Sequence, residues 1–167
     1  MNTPRIYVAC LASYNNGILH GSWVDCANDP EDIKTDIHQM LKASPIEMGE
    51  EWDIHDYEYF CGFDPSGFLP EKLSQFALFI EEHESLGAEL LDMHCDIDKA
   101  KEVLEDNYLG CYESLSDYAE ELTTSCCDIP KDLEYYIDYH SMAEDMELNG
   151  EFYSIQTKHD EHHLFLS

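Results

Sequence analysis

Positive charge is what this 167-residue chain has least of: one arginine, Arg5, and seven lysines stand against 37 Asp and Glu, a formal charge of −29. Duplex affinity rests on cations that neutralise phosphates and release their counterions, so the composition argues against direct nucleic-acid binding. It argues equally against an anionic membrane surface. Long apolar runs are missing too. Nothing approaches the roughly 18 residues of a membrane span, and Met1 to Arg5 does not pair a basic flank with an apolar stretch. The expected location is cytoplasmic. Seven cysteines (Cys10, Cys26, Cys61, Cys95, Cys111, Cys126 and Cys127), an odd number without regular spacing, fit free, mostly buried thiols better than a disulfide framework. Yet 44% hydrophobic and 12% aromatic residues separate the chain from acidic disordered segments, which are poor in both.

Recognisable chemical motifs are equally scarce. There is no Gly-x-Ser-x-Gly elbow, phosphate loop or dinucleotide fingerprint, so neither an enzyme nor a cofactor is expected. Asp92, Asp96 and Asp98 lack the central glycine and terminal glutamate of a calcium loop. His159, His162 and His163 match neither order of the zinc-hydrolase motifs and read as a polar hairpin tip. Cys126-Cys127 has no second cysteine pair with which to hold zinc, and His20, His55 and Cys10 lie scattered on strands rather than paired for nucleophilic work.

What is present reads as an α+β fold. Arg5–Leu11 is β-branched and aromatic, Asn16-Gly17 is a hairpin signal, and Ile18–Asp25 returns. Asp29-Pro30 opens a helix with Ile33, Ile37, Met40 and Leu41 on one stripe, which Ser44-Pro45 ends. Glu51–Phe60 is a strand, and Gly62–Gly67 is a turn-rich break. Beyond Pro70, Leu73, Phe76, Ala77 and Ile80 mark a helix. Gly87 is expected to divide it from a shorter one carrying Leu90 and Leu91, and a third follows over Ile97–Asp106. Ser114 and Asp117 resemble a capping box ahead of Leu115, Tyr118, Ala119 and Leu122. Pro130 starts a helix whose apolar stripe shifts as though bent near His140, Asn149-Gly150 stops it, and Phe152–Thr157 with His162–Leu166 closes the chain as a hairpin. The expected organisation is three small domains: 1–61 (α+β), 62–106 (helical) and 107–167 (α+β).

The negative charge is no tail. Residues 1–30 carry −1 and 151–167 carry −2, whereas 31–60, 61–110 and 111–150 carry −7, −9 and −10, on segments that also have a folding pattern. One spacing occurs twice: Asp98, Glu102, Glu105 and Asp106, then Glu113, Asp117, Glu120 and Glu121, at i, i+4, i+7 and i+8. Each set forms a helical stripe opposite the apolar residues. At a rise of about 1.5 Å per residue, such a stripe carries a carboxylate every roughly 4 Å. A DNA strand carries a phosphate every roughly 3.4 Å of axis. The whole charge equals that of about 50 Å of duplex at one charge per roughly 1.7 Å. Such a row of carboxylates could enter a cleft lined with Lys and Arg that normally grips DNA. Glu81 and Glu84 join the candidate contact set from the helix after Pro70.

Three stretches carry a resemblance: RIYVACLASYNNGILHGSWVD (Arg5–Asp25), EEWDIHDYE (Glu50–Glu58) and LEYYIDYHSMAEDMELNGEF (Leu133–Phe152). In content and order they resemble the ArdA family of antirestriction proteins. The resemblance implies a small cytoplasmic protein carried on plasmids and other mobile genetic elements. It implies inhibition of type I restriction-modification enzymes by occupying the DNA cleft of the methyltransferase core and specificity subunit. It also implies three small domains in a curved line and a homodimer formed through the last of them. Leu133–Leu148 matches the family's antirestriction motif, which the resemblance ties to the dimer interface. Tyr135, Tyr136, Ile137, Tyr139 and Met142 would then be interface or core, and Asp132, Glu134 and Asp138 exposed contact carboxylates. An acidic adaptor or chaperone for a basic protein partner is the alternative.

Overall fold

In a computed structural model of the chain, residues 3–47 and 49–167 are described. They form a mixed α+β structure that divides into two compact units, one ending at Ile97 and the other running Asp98–Ser167. The division falls inside the 62–106 stretch that the sequence marks as helical. No helix among the described residues is long and apolar enough to cross a membrane.

The first unit is built on an antiparallel sheet ordered β2-β1-β3, from β1 (Arg5–Cys10), β2 (Gly21–Asp25) and β3 (Trp52–Glu58). β1 is central, which is why Ile6, Val8, Ala9 and Cys10 are all buried. Its register against β3 slips between Tyr7 and Val8, where the partner skips from Asp56 to Ile54. β1 and β2 do pair antiparallel, but not through a two-residue turn. A short helix, α1 (Leu11–Asn15), intervenes, and Asn16-Gly17 caps it. Gly17 N–H donates to the Tyr14 carbonyl and Ile18 N–H to the Ser13 carbonyl, with Gly17 at φ +75°. This is a Schellman cap, and the left-handed residue that suits a tight hairpin suits a helix end as well.

Helix α2 (Pro30–Lys42) starts as its sequence implies: the Asp29 carboxylate accepts from Glu31 N–H, and proline occupies the first turn, where its missing N–H costs nothing. Ile33, Ile37 and Met40 are buried. Helix α3 (Pro70–His94) buries Leu73, Phe76, Ala77 and Ile80, and Phe63, Phe68 and Phe76 form an aromatic cluster beside it. It is interrupted at Glu84 (φ 51°, ψ −132°), three residues before the expected break at Gly87. Gly87 is buried inside the second half, where a Cβ would lie 3.0 Å from the Phe79 carbonyl oxygen. It is there for close packing rather than to end a helix.

The second unit holds α4 (Ile97–Asp106) from its second residue on, then β4 (Tyr108–Tyr112), α5 (Leu115–Cys126), α6 (Lys131–Glu134), α7 (Tyr139–Leu148), β5 (Phe152–Lys158) and β6 (Glu161–Leu166), with an antiparallel sheet ordered β4-β6-β5. Ala119, Ala143, Met146, Phe152 and Leu164 make its core, with Leu115, Tyr118, Leu122, Tyr139 and Met142 packed around them. Sequence reasoning missed β4, because Gly110 (φ +140°) breaks the alternation of YLGCY and shifts its register against β6. The single bent helix expected after Pro130 is two helices. The chain leaves the helix after Glu134, and Asp138 begins α7 by accepting from the N–H of Ser141 at 3.1 Å and from its hydroxyl at 2.9 Å.

Candidate binding surface

The carboxylates lie outside the fold almost without exception. Of the 37 Asp and Glu, only Glu58, Glu81, Glu147 and Glu161 are half-buried; none is buried and the rest are exposed. The first unit carries 19 of them against four Lys or Arg, and the second 18 against four. Several cations are tied to neighbours: Arg5 to Glu58 at 2.6 Å, Lys34 to Glu31 and Glu71 at 2.8 and 2.6 Å, Lys99 to Glu102 and Lys158 to Glu161 at 2.9 Å. Exposed pairs of this kind contribute about 0–1 kcal/mol each, so they do little to offset the repulsion.

Of the candidate contact residues, Asp98, Glu102, Glu105 and Asp106 are exposed along α4, opposite the buried Ala100 and Val103. Asp117, Glu120 and Glu121 are exposed on α5, opposite Ala119. Glu113 is exposed too, but it precedes the N-cap Ser114 and so is not on the helix as the spacing implied. Asp132, Glu134 and Asp138 are exposed, as is Glu84, whereas Glu81 is half-buried and accepts from Thr3 Oγ1 at 3.4 Å.

Helix starts soften part of this charge. Asp29 and Asp138 are N-caps, Asp98 and Asp117 lie in first turns, and Asp117 takes 2.8 Å hydrogen bonding from the Ser114 hydroxyl while its own N–H donates back to Ser114 Oγ. Negative charge at that end of a helix is favourable by about 0.3–1 kcal/mol. Backbone and hydroxyl donors from Ser141 hold the Asp138 carboxyl below its usual range. Glu105, Asp106, Glu120 and Glu121 stand further along their helices and gain no such help.

The residues of the Leu133–Leu148 stretch separate by exposure. Tyr135 is 92% and Tyr136 81% exposed, and Leu133 and Leu148 also face solvent. Ile137, Tyr139 and Met142 are half-buried, and Tyr139 and Met142 pack against the core. The Tyr139 hydroxyl is shut away from solvent with no hydrogen-bond partner among the described residues. Burial first, then Glu120 and Glu134, push its pKa up.

The C-terminal histidines do not converge. His162 and His163 are consecutive in β6 and so project to opposite faces, while His159 lies in the exposed turn before it. His163 is instead held in a relay: its Nδ1 lies 2.9 Å from the Tyr108 hydroxyl and its Nε2 3.2 Å from Thr157 Oγ1, which in turn donates to Glu161. Among the described residues no group of three or more His, Cys, Asp or Glu is placed to hold a metal ion. Only Cys10 and Cys26 of the seven thiols are buried, against the expectation for most of them; burial pushes Cys26 up to about 12, whereas at Cys10 burial also raises the pKa but hydrogen bonds with Ser44, Ser13 and Ala12 outweigh it and leave it lowered.

The chain is thus a mixed α+β scaffold on which every one of the 37 carboxylates is at least partly exposed. The chain belongs to the ArdA family: the family profile described as "Antirestriction protein (ArdA)" matches residues 6–161, and membership brings with it an antirestriction role. No curated protein matches the chain.

Proposed function

We propose that the protein protects DNA by standing in for it: its exposed carboxylates occupy the duplex-binding cleft of a type I restriction-modification enzyme, at the methyltransferase core and specificity subunit, and exclude the substrate. The carrying observation is that 37 carboxylates face eight Lys and Arg and that none of the 37 is buried. Such a surface complements a cleft built of cations, and electrostatic steering would make association fast and salt-sensitive. The contact set is Glu81, Glu84, Asp98, Glu102, Glu105, Asp106, Glu113, Asp117, Glu120, Glu121, Asp132, Glu134 and Asp138. No chemistry is needed, because occupancy alone blocks the substrate. The acting species is a homodimer formed in the cytoplasm through Tyr135 and Tyr136, whose exposure makes them available, while Tyr139 and Met142 support that surface from the core.

The test is inhibition of a purified type I enzyme by the full-length protein across a salt series, with competitor duplex present. Inhibition should weaken as salt and competitor rise. Potency indifferent to both would refute competition for the cleft.

A further inference from the structure

A cavity of about 280 Å³ opens in the first unit between the end of β3 and the middle of α3, lined among others by Pro4, Tyr59, Ile80, Glu81, Glu84 and Ser85. Its composition is uneven: an aromatic ring, two apolar side chains and two carboxylates, with no cation among the described residues that line it. The backbone is held in costly conformations to shape it. Tyr59 (φ 66°) and Glu84 (φ 51°) are both left-handed non-glycine residues, and the neighbouring Cys61 (φ 53°) also lines the wall. Such strain persists only where the surrounding structure enforces it.

The same unit shows what this combination of groups accommodates. The Arg5 guanidinium donates from Nε and a terminal nitrogen to Glu58 Oε2 at 2.8 and 2.6 Å, and lies 4.8 Å from the Trp23 ring centre and 5.7 Å from that of Tyr59. Carboxylate plus aromatic ring therefore already binds a guanidinium here. The cavity beside it shares the Tyr59 ring with that site and adds Glu81, which also accepts from Thr3 Oγ1, and Glu84, and none of the described residues that line it is a cation.

We infer that this cavity receives one arginine side chain of the partner protein, its stem against Ile80 and Pro4, its planar head against Tyr59 and its N–H groups on Glu81 and Glu84. This rests on the competitive reading above and adds a shaped contact to a diffuse one. Arginine is favoured over lysine because a flat, weakly hydrated fork can stack and reach two carboxylates together, whereas an ammonium is a compact, strongly hydrated point charge.

Two experiments separate this inference from that reading. In the first, N-acetyl-arginine-N-methylamide is titrated into the full chain while the backbone amides of Glu81, Glu84 and Ser85 are followed by NMR, with the lysine and citrulline counterparts as comparisons. Arginine should perturb these amides at a concentration at least fivefold below lysine, citrulline should not perturb them, and Glu81→Gln/Glu84→Gln should abolish the response. Equal responses to arginine and citrulline, equal responses to arginine and lysine, or retention by the double variant would each overturn the inference. In the second, inhibition by Glu81→Gln/Glu84→Gln is compared with that of Asp36→Asn/Glu89→Gln, which removes the same charge from exposed positions in the same unit. The cavity variant should lose at least tenfold in potency and the control under threefold; equal losses would leave only diffuse charge and refute the cavity. If wild-type protein fails to displace duplex at all, the competitive reading falls, and the titration still decides the cavity.

Discussion

Neutralising the α5 carboxylates should make the protein more stable and less effective at once. The variant is Glu113→Gln, Asp117→Asn, Glu120→Gln, Glu121→Gln. In the wild type, Asp117 faces Glu120 at i+3 and Glu121 at i+4 on an exposed helix surface. Each like-charge pair of this kind costs about 0.2–0.5 kcal/mol, so relieving both returns about 0.4–1 kcal/mol. Against that stands the electrostatic part of the Asp117 interaction with the helix start, about 0.3–1 kcal/mol, although asparagine keeps a side-chain oxygen for the Ser114 hydroxyl. Restricting the change to Glu120→Gln and Glu121→Gln removes that opposing effect and should raise the melting temperature cleanly; Glu113, outside the helix, should leave it unmoved. Function should go the other way. If each lost contact with the basic cleft is worth the about 0.2–1 kcal/mol of an exposed pair, four together weaken inhibition between about fourfold and several-hundredfold, more at low salt than at high. The assays are thermal unfolding by circular dichroism and competition with duplex for a type I enzyme at two ionic strengths. A variant that is stabilised and fully inhibitory would show that this stripe is merely solvated surface; one that loses potency equally at both ionic strengths would show that the loss is not electrostatic.

Three further outcomes are expected. Tyr135→Ala/Tyr136→Ala should shift sedimentation toward monomer with a change in unfolding free energy within about 0.5 kcal/mol, since both rings are exposed in one chain; an unchanged dimer would remove these tyrosines from the interface. Phe152→Ala, which empties a fully buried site in the second core, should cost about 3–5 kcal/mol, measured by denaturant unfolding followed by far-UV circular dichroism. Burial lowers the His163 pKa below its ordinary 6.5, so below pH 6.5 the unfolded chain takes up a proton that the folded one resists. Stability contributed by neutral His163 is therefore present above 6.5 and lost as pH falls through and beneath it. His163→Gln should flatten that limb relative to wild type, and an identical pH profile would refute the assignment.

How much of this was legible in the sequence depended on how local each signal was. Asp29-Pro30, the stripe Leu73–Phe76–Ala77–Ile80, the span Ile97–Asp106 and the closing hairpin all depend on neighbours within a few residues, and the fold keeps them. Asn16-Gly17 carried the right backbone conformation but two possible uses, and only the hydrogen bonds to Ser13 and Tyr14 decide between them. Gly87 misled because close packing against Phe79 and a helix stop both select glycine. Exposure of the carboxylates follows from the cost of burying charge and could be anticipated. The cavity under Tyr59 could not: Glu81 and Glu84 were visible as charges, but the ring that joins them comes from a strand end more than twenty residues earlier, through a left-handed turn that no periodicity announces.

The outer strand β3 has a bearing on how the molecule survives crowding. An unpaired strand edge is a template for aggregation, and proteins blunt such edges with charge. Here Asp53, Asp56 and Glu58 sit on that edge, and Asp25 ends the opposite one, β2. The negative groups thus also act as bumpers, keeping copies from zipping together rung by rung. At the sequence isoelectric point of about 4.2 the chain carries no net charge and repulsion between copies is weakest, so acidification should turn clear solutions cloudy, and a return to neutral pH should clear them while the strands have not yet joined.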